Sequence, residues 1–133
     1  MNEELAELVG AFIGDGFYNV YNDSHNHMEF VGHKKFDKQY LRYLATISEK
    51  YFRINPIFKF HSGALRLIIH SKVMNTFFLN LNLPMGKKSD IIEIPQDLYN
   101  SKYITNVIRG IFDTDGFVYL DKRKIYKQLY PRI

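Results

Sequence analysis

Two stretches of this sequence, LVGAFIGDG at 8–16 and IRGIFDTDG at 108–116, each set an aspartate just past an apolar run. Gly10 and Gly110 stand one hundred positions apart, and Asp15 with Asp115 and Gly16 with Gly116 keep that offset. One G-x-x-x-x-D-G is ordinary turn chemistry at the end of a helix. Two in register, each between an apolar helical run and an aromatic strand-like run, form an internal repeat. If the two helices pack side by side, their terminal carboxylates converge and repel unless divalent cations lie between them. Hard oxygen ligands suit Mg²⁺, which takes one or two carboxylates together with phosphate oxygens. Metal held in this way serves phosphoryl transfer.

The glycines inside the runs set the packing. Glycine in a helix interior costs about 1 kcal/mol against alanine, so Gly10 and Gly110 make sense where two backbones approach closely. Leucine at either position is expected to destabilise by several kcal/mol, about what overpacking costs. Alanine is expected to be milder, with helix propensity offsetting part of the loss.

The elements that position these residues follow from periodicity. Residues 3–13 read as a helix with Leu5, Leu8, Val9 and Phe12 on one side. A hairpin follows, 17–21 and 27–32, turning at Asn22-Asp23-Ser24. Asp37 can cap a second helix whose stripe is Leu41, Leu44, Ile47 and Tyr51. Residues 57–60 and 65–69 form a second hairpin around Ser62-Gly63, with Leu65, Leu67 and Ile69 on one face and Arg66 and His70 on the other. Ser71 caps a third helix carrying Val73, Met74, Phe77, Phe78 and Leu81. After a connecting loop, 103–112 is helical and 117–120 is a strand. The order is α-β-β-α-β-β-α, a loop, then α-β, with 126–133 beginning a further strand. Residues 1–100 thus hold a first repeat and its connecting loop, and 101–133 start a second.

Bulk composition narrows the class. With 46% hydrophobic and 24% charged residues the chain reads as one soluble α+β domain of 133 residues. Its apolar runs are too short to span a membrane. The acidic start, Met1-Asn2-Glu3-Glu4, leads into no signal peptide. The absence of cysteine excludes disulfides and thiolate metal sites and fits a cytoplasmic, intracellular protein. A net charge of +4 permits nucleic-acid binding without requiring it.

Two other motif assignments fail. DTDG could open a calcium loop, but Phe117 and Val118 stand where ligands are needed. It also matches the D-x-D-G of haloacid-dehalogenase phosphatases, with Asp113 as nucleophile. That motif follows the first strand of a much longer domain, and the first copy would remain unexplained.

The two stretches, with the connecting GKKSDIIEIPQDL, resemble the LAGLIDADG motif and inter-repeat segment of homing endonucleases and intein endonuclease domains. The resemblance runs over the whole chain. It implies αββαββα repeats, one complete and a second cut short, with the motif helices at the central interface. It implies hydrolysis of phosphodiesters in double-stranded DNA with Mg²⁺ or another divalent cation. Asp15 and Asp115 would be the metal ligands, with backbone carbonyls of Gly14 and Thr114 completing coordination. Asp113 falls at an earlier motif position, where the first copy has Ile13, and is not assigned to metal. A basic residue near the end of the second strand often assists, and His33-Lys34-Lys35 nominates Lys34.

The resemblance also implies a sheet whose outer face lies on the DNA major groove. Strand alternation nominates Asn19, Tyr21, His27, Glu29, Lys59, His61 and Arg66 for that face, with Lys87 and Lys88 as phosphate contacts. Three readings stay open. They are a DNA endonuclease or its amino-terminal part, a catalytically silent module such as an intron-RNA maturase or regulatory domain, and an inert remnant. The short second repeat allows a fragment, an early stop or a homodimer.

Overall fold

The computed structural model describes residues 1–21, 25–84, 92–116, 119–121 and 130–132, with the backbone alone at 19–21, 25, 119–121 and 130–132. Asn2 opens the first helix, α1 (Glu3–Gly14), by accepting the Leu5 N–H at 2.9 Å on its side-chain oxygen. Glu3 and Glu4 in the first turn complement the helix dipole. Every residue from Ala6 to Phe12 is buried. The expected one-sided stripe is therefore too narrow a description: α1 is a central helix, covered on several sides.

β1 (Phe17–Tyr21) and β2 (His25–His33) form the first antiparallel hairpin, with Phe17 opposite Glu29 and Tyr21 opposite His25. α2 (Lys38–Phe52) follows. Asp37 holds its N-cap position, yet the carboxylate does not cap the helix; Oδ2 accepts the His33 N–H at 2.6 Å instead. β3 (Ile57–His61) and β4 (Ala64–His70) join through Ser62 and Gly63, whose φ angles of 46° and 83° are those of a tight hairpin turn. Ser71 caps α3 (Lys72–Asn80) by accepting the Met74 N–H at 3.1 Å.

The four strands form one antiparallel sheet in the order β1-β2-β4-β3. Met28, Phe30, Leu65, Leu67 and Ile69 on its inner face join Leu8, Phe12, Leu44, Ile47 and Met74 in one core. Phe12 meets Phe78 with ring centroids 4.6 Å apart. A short helix the periodicity missed, α4 (Gln96–Tyr99), precedes α5 (Ile104–Asp115). Four residues are too few to show a period. β5 (Tyr119–Asp121) and β6 (Tyr130–Arg132) pair as a separate antiparallel ribbon. The architecture is α+β, with a four-stranded antiparallel sheet and five helices among the described residues. None of these helices is long and apolar enough to cross a membrane.

Candidate metal centre and sheet face

The site is built where α1 and α5 cross. A Cβ on Gly10 would lie 2.0 Å from the Val107 carbonyl oxygen, and one on Gly110 would lie 2.1 Å from that of Glu7. One turn on, a Cβ on Gly14 would lie 2.1 Å from Thr114 Oγ1. Residues one hundred apart thus meet in sequence order, so the helices run parallel and end together. Asp15 is the C-cap of α1 and Asp115 is the last residue of α5, both exposed.

The electrostatics of that end favour a cation. Helix C-termini carry partial negative charge and carbonyls without intrahelical partners. Neither helix has a basic residue in its last turn to offset this. The missing Cβ of Gly14 makes room for the Thr114 hydroxyl, which donates back to the Gly110 carbonyl at 2.9 Å. The donors offered by Gly14, Asp15, Thr114 and Asp115 are all oxygen, the set a hard divalent cation takes. These residues therefore fit such an ion. Among the described residues no group of three or more His, Cys, Asp or Glu side chains could hold a metal, so carbonyls would have to contribute.

Lys34 is exposed in the turn after β2, with its N–H donating to the Gly63 carbonyl at 3.2 Å. Phe17, at the start of β1, is level with Glu29, so the end of β2 runs on past it at the edge where α1 enters. His33 is occupied locally: its Nδ1 accepts the Lys35 and Phe36 N–H groups, and its ring stacks on Phe36.

On the outer face of the sheet, His27, Glu29 and Arg66 lie together. Lys59 is opposite Arg66, and His61 opposite Ala64. Lys59 and His61 are exposed. Glu29 is buried and bound by Arg66, so neither is a free contact residue. Asn19 lies in β1 opposite His27 and Tyr21 opposite His25. Lys87 and Lys88 lie outside the described residues.

Sequence reasoning missed a second cluster. Glu7 is buried between α1, α2 and α5, where Tyr43 donates to its Oε2 at 3.2 Å and Arg109 Nε lies 3.5 Å from Oε1. Arg109 also reaches Asp113 at 3.5 Å. Phe36, Tyr40, Tyr43, Arg109 and Asp113 line a cleft beside it. Burial pushes the Glu7 carboxyl above the usual range despite Arg109 and Tyr43. Burial and the Glu7 charge push the Tyr40 and Tyr43 hydroxyls up as well. The signal was a glutamate inside the apolar run of α1, legible only once every residue from Ala6 to Phe12 is known to be buried.

This has a measurable consequence. A carboxyl with a raised native pKa favours folding when protonated, a gain complete below its unfolded value and lost as pH rises through the native one. Glu7→Gln should remove that part of the pH dependence and raise the melting temperature at pH 7 by a few degrees, the effect of about 1 kcal/mol. Melting curves between about pH 4.5 and pH 7.5 check this. A lower melting temperature at neutral pH would mean that Arg109 and Tyr43 more than compensate burial.

No family model matches the chain. It is 34% identical over 118 residues to a replication factor C small subunit of Methanocaldococcus jannaschii, a match covering 86% of this chain and 6% of that protein. It is 27% identical over 131 residues to an A-type ATP synthase subunit of Pyrococcus abyssi, covering 93% of this chain and 11% of that protein. The chain therefore corresponds to a small part of each.

Proposed function

We propose that this chain is a LAGLIDADG-type homing endonuclease, or part of one, that hydrolyses phosphodiesters in double-stranded DNA with a divalent cation. The observation that carries this reading is the parallel crossing of α1 and α5 on Gly10 and Gly110, which ends both helices together at Asp15 and Asp115. The α-β-β-α-β-β-α order of the first repeat, with its sheet beside the crossing, supports it. The two relatives add an independent argument. One is named for a replication factor and the other for an ATP synthase, yet each contains a segment similar to most of this chain. An element carried inside unrelated hosts would leave such a pattern.

In this reading Asp15 and Asp115 hold Mg²⁺, with the Gly14 and Thr114 carbonyls beside them. The bound ion supplies charge neutralisation at the phosphate and acidifies its water. Lys34, exposed in the turn after β2, supplies positive charge toward the scissile phosphate. The outer sheet face, with Lys59 and His61 exposed, holds the duplex. Association of two chains through the uncovered side of α5 belongs to the same proposal.

Asp15→Asn and Asp115→Asn should each reduce Mg²⁺-dependent cleavage of a plasmid library by roughly hundredfold or more, as loss of a charge-stabilising group at a reaction centre does. Mn²⁺ relaxation titrations should show weakened binding, with melting nearly unchanged because both side chains are exposed. Undiminished metal binding in both variants would remove the metal role. Duplex or RNA binding by the wild type without cleavage would leave the silent nucleic-acid module as the reading.

A further inference from the structure

The turn between β2 and α2 holds an aromatic ring out in solvent. Phe36 is 76% exposed, more than any other large apolar side chain among the described residues. The turn that carries it is fixed from several sides. Asp37 Oδ2 accepts the His33 N–H at 2.6 Å, and the Asp37 N–H donates to the His33 carbonyl at 3.0 Å. His33 Nδ1 accepts the Lys35 and Phe36 N–H groups at 3.2 and 3.3 Å. Gly32 makes room for the lock, since a Cβ there would lie 2.7 Å from Asp37 Cβ. His33 then stacks on Phe36, with ring centroids 4.7 Å apart and an interplanar angle of 29°. The buried stripe of α2 is supplied by Leu41, Leu44 and Ile47, so the core has no use for this ring.

The chemistry around Phe36 selects its partner. Lys34 and Lys35 are exposed beside it, Lys38 follows partly buried, and Lys35 Nζ lies 5.7 Å from the ring centre. The one carboxylate in this run, Asp37, is turned to the His33 N–H. The rim is therefore cationic, as a phosphate backbone requires. In the cleft that Phe36 lines, Tyr40 and Tyr43 of α2 add two more rings, and Arg109 and Asp113 come from α5. Those two lie 3.5 Å apart, with side chains 64% and 35% exposed. A guanidinium only donates and a carboxylate only accepts. The Watson–Crick edge of every nucleobase carries both an acceptor and a donor, and a base out of the stack is held by that edge and by stacking. An acidic peptide would use the lysines but leave the rings and the Arg109–Asp113 pair without matching groups.

We propose that this cleft receives a single nucleobase displaced from the DNA stack, with Phe36 as the stacking ring, Lys35 at the neighbouring phosphate and Arg109 with Asp113 at the base edge. The proposal rests on the nucleic-acid reading given above. It adds to the sheet face, which holds paired DNA, a separate place for a base that is not paired. Asp113 stands in the last turn of α5, the turn that also carries Asp115. Selectivity among the bases is expected to be weak, because stacking on an aromatic ring is sequence-tolerant.

The chain has no tryptophan, so Phe36→Trp places a lone fluorescent reporter on the platform. The probes are a short DNA duplex with one extra unpaired adenine, the same duplex fully paired, and the same duplex with an abasic bulge. A base that is already unpaired is the least costly to insert. Emission from Phe36→Trp should be quenched by the adenine bulge and stay nearly level with the other two. In fluorescence anisotropy with labelled DNA, the wild type should bind the adenine bulge roughly tenfold more tightly than the paired duplex, the size of one base–aromatic stack. Phe36→Leu should remove that preference and leave affinity for the paired duplex as in the wild type, while Phe36→Tyr keeps it. Circular dichroism confirms folding, which substitution at so exposed a position should not disturb. Equal wild-type affinity for bulged and paired DNA, equal affinity for adenine and abasic bulges, or a preference that survives in Phe36→Leu overturns the proposal and leaves the nucleic-acid reading standing. No binding to any of the three duplexes overturns both.

Discussion

Gly10→Ala and Gly110→Ala should each destabilise the protein by about 3 kcal/mol or more, the upper range for overpacking. On helix propensity alone either change should stabilise by about 1 kcal/mol. The crossing decides the sign. A new methyl at position 10 meets the Val107 carbonyl oxygen at 2.0 Å and its carbon at 2.8 Å; one at position 110 meets Glu7 O at 2.1 Å and Ala11 N at 2.6 Å. All four atoms are backbone within helices, so no rotamer change relieves the contact. The helices must separate, which disturbs the packing of Glu7, Val107 and Ala11, all buried. Urea or thermal unfolding measures the loss. Gly63→Ala is the contrasting variant, since nothing lies within 4 Å of its Cβ and only its positive φ opposes substitution. Gly10 and Gly110 variants that melt with the wild type would mean that the helices do not cross there.

Sequence alone anticipated the close approach but underestimated alanine's effect, because periodicity carries no interaxial distance. Local features were legible: Ser71 as a cap, Ser62-Gly63 as a turn, and the inward set of Leu65, Leu67 and Ile69. Each depends on residues within a few positions of one another. Features between distant segments were not. Glu29 and Arg66 read as independent surface charges until β2 and β4 pair, which needs a sheet order in which chain neighbours are not always sheet neighbours. Glu7 with Tyr43, and Glu4 with Lys50 and Tyr51, likewise join α1 to α2 across long stretches of chain. Asp37 was placed at a helix start from its type, while the nearby His33 N–H took its carboxylate. The side-by-side packing of α1 and α5 was legible because the repeat itself encodes a long-range relation: matching stretches of two packed copies meet.

That same relation yields the other large effect, self-association through α5. Leu8 and Phe12 of α1 are 0% and 1% exposed, sealed against the core. Their counterparts one hundred positions on, Ile108 and Phe112, are 53% and 37% exposed, with Ile104 and Ile111 beside them on α5. A side of the crossing that is closed for α1 is thus open for α5, and an exposed apolar face of this kind marks an interaction surface. The chain at micromolar concentration is expected to associate through it. Burying a side chain of this size contributes about 1.5–3 kcal/mol. Ile108→Asp combined with Phe112→Ser should therefore weaken association by roughly a hundredfold or more, at about 1.4 kcal/mol per tenfold. Both side chains lie away from the Gly10–Gly110 contact, so the variant should still fold. Sedimentation equilibrium on the wild type and the double variant measures this, with circular dichroism as the control. A wild-type chain that stays monomeric at high concentration would show that this face is left to water. Association unchanged in the variant would move the interface elsewhere, with the exposed Phe58 and Phe60 of β3 the next surface to substitute.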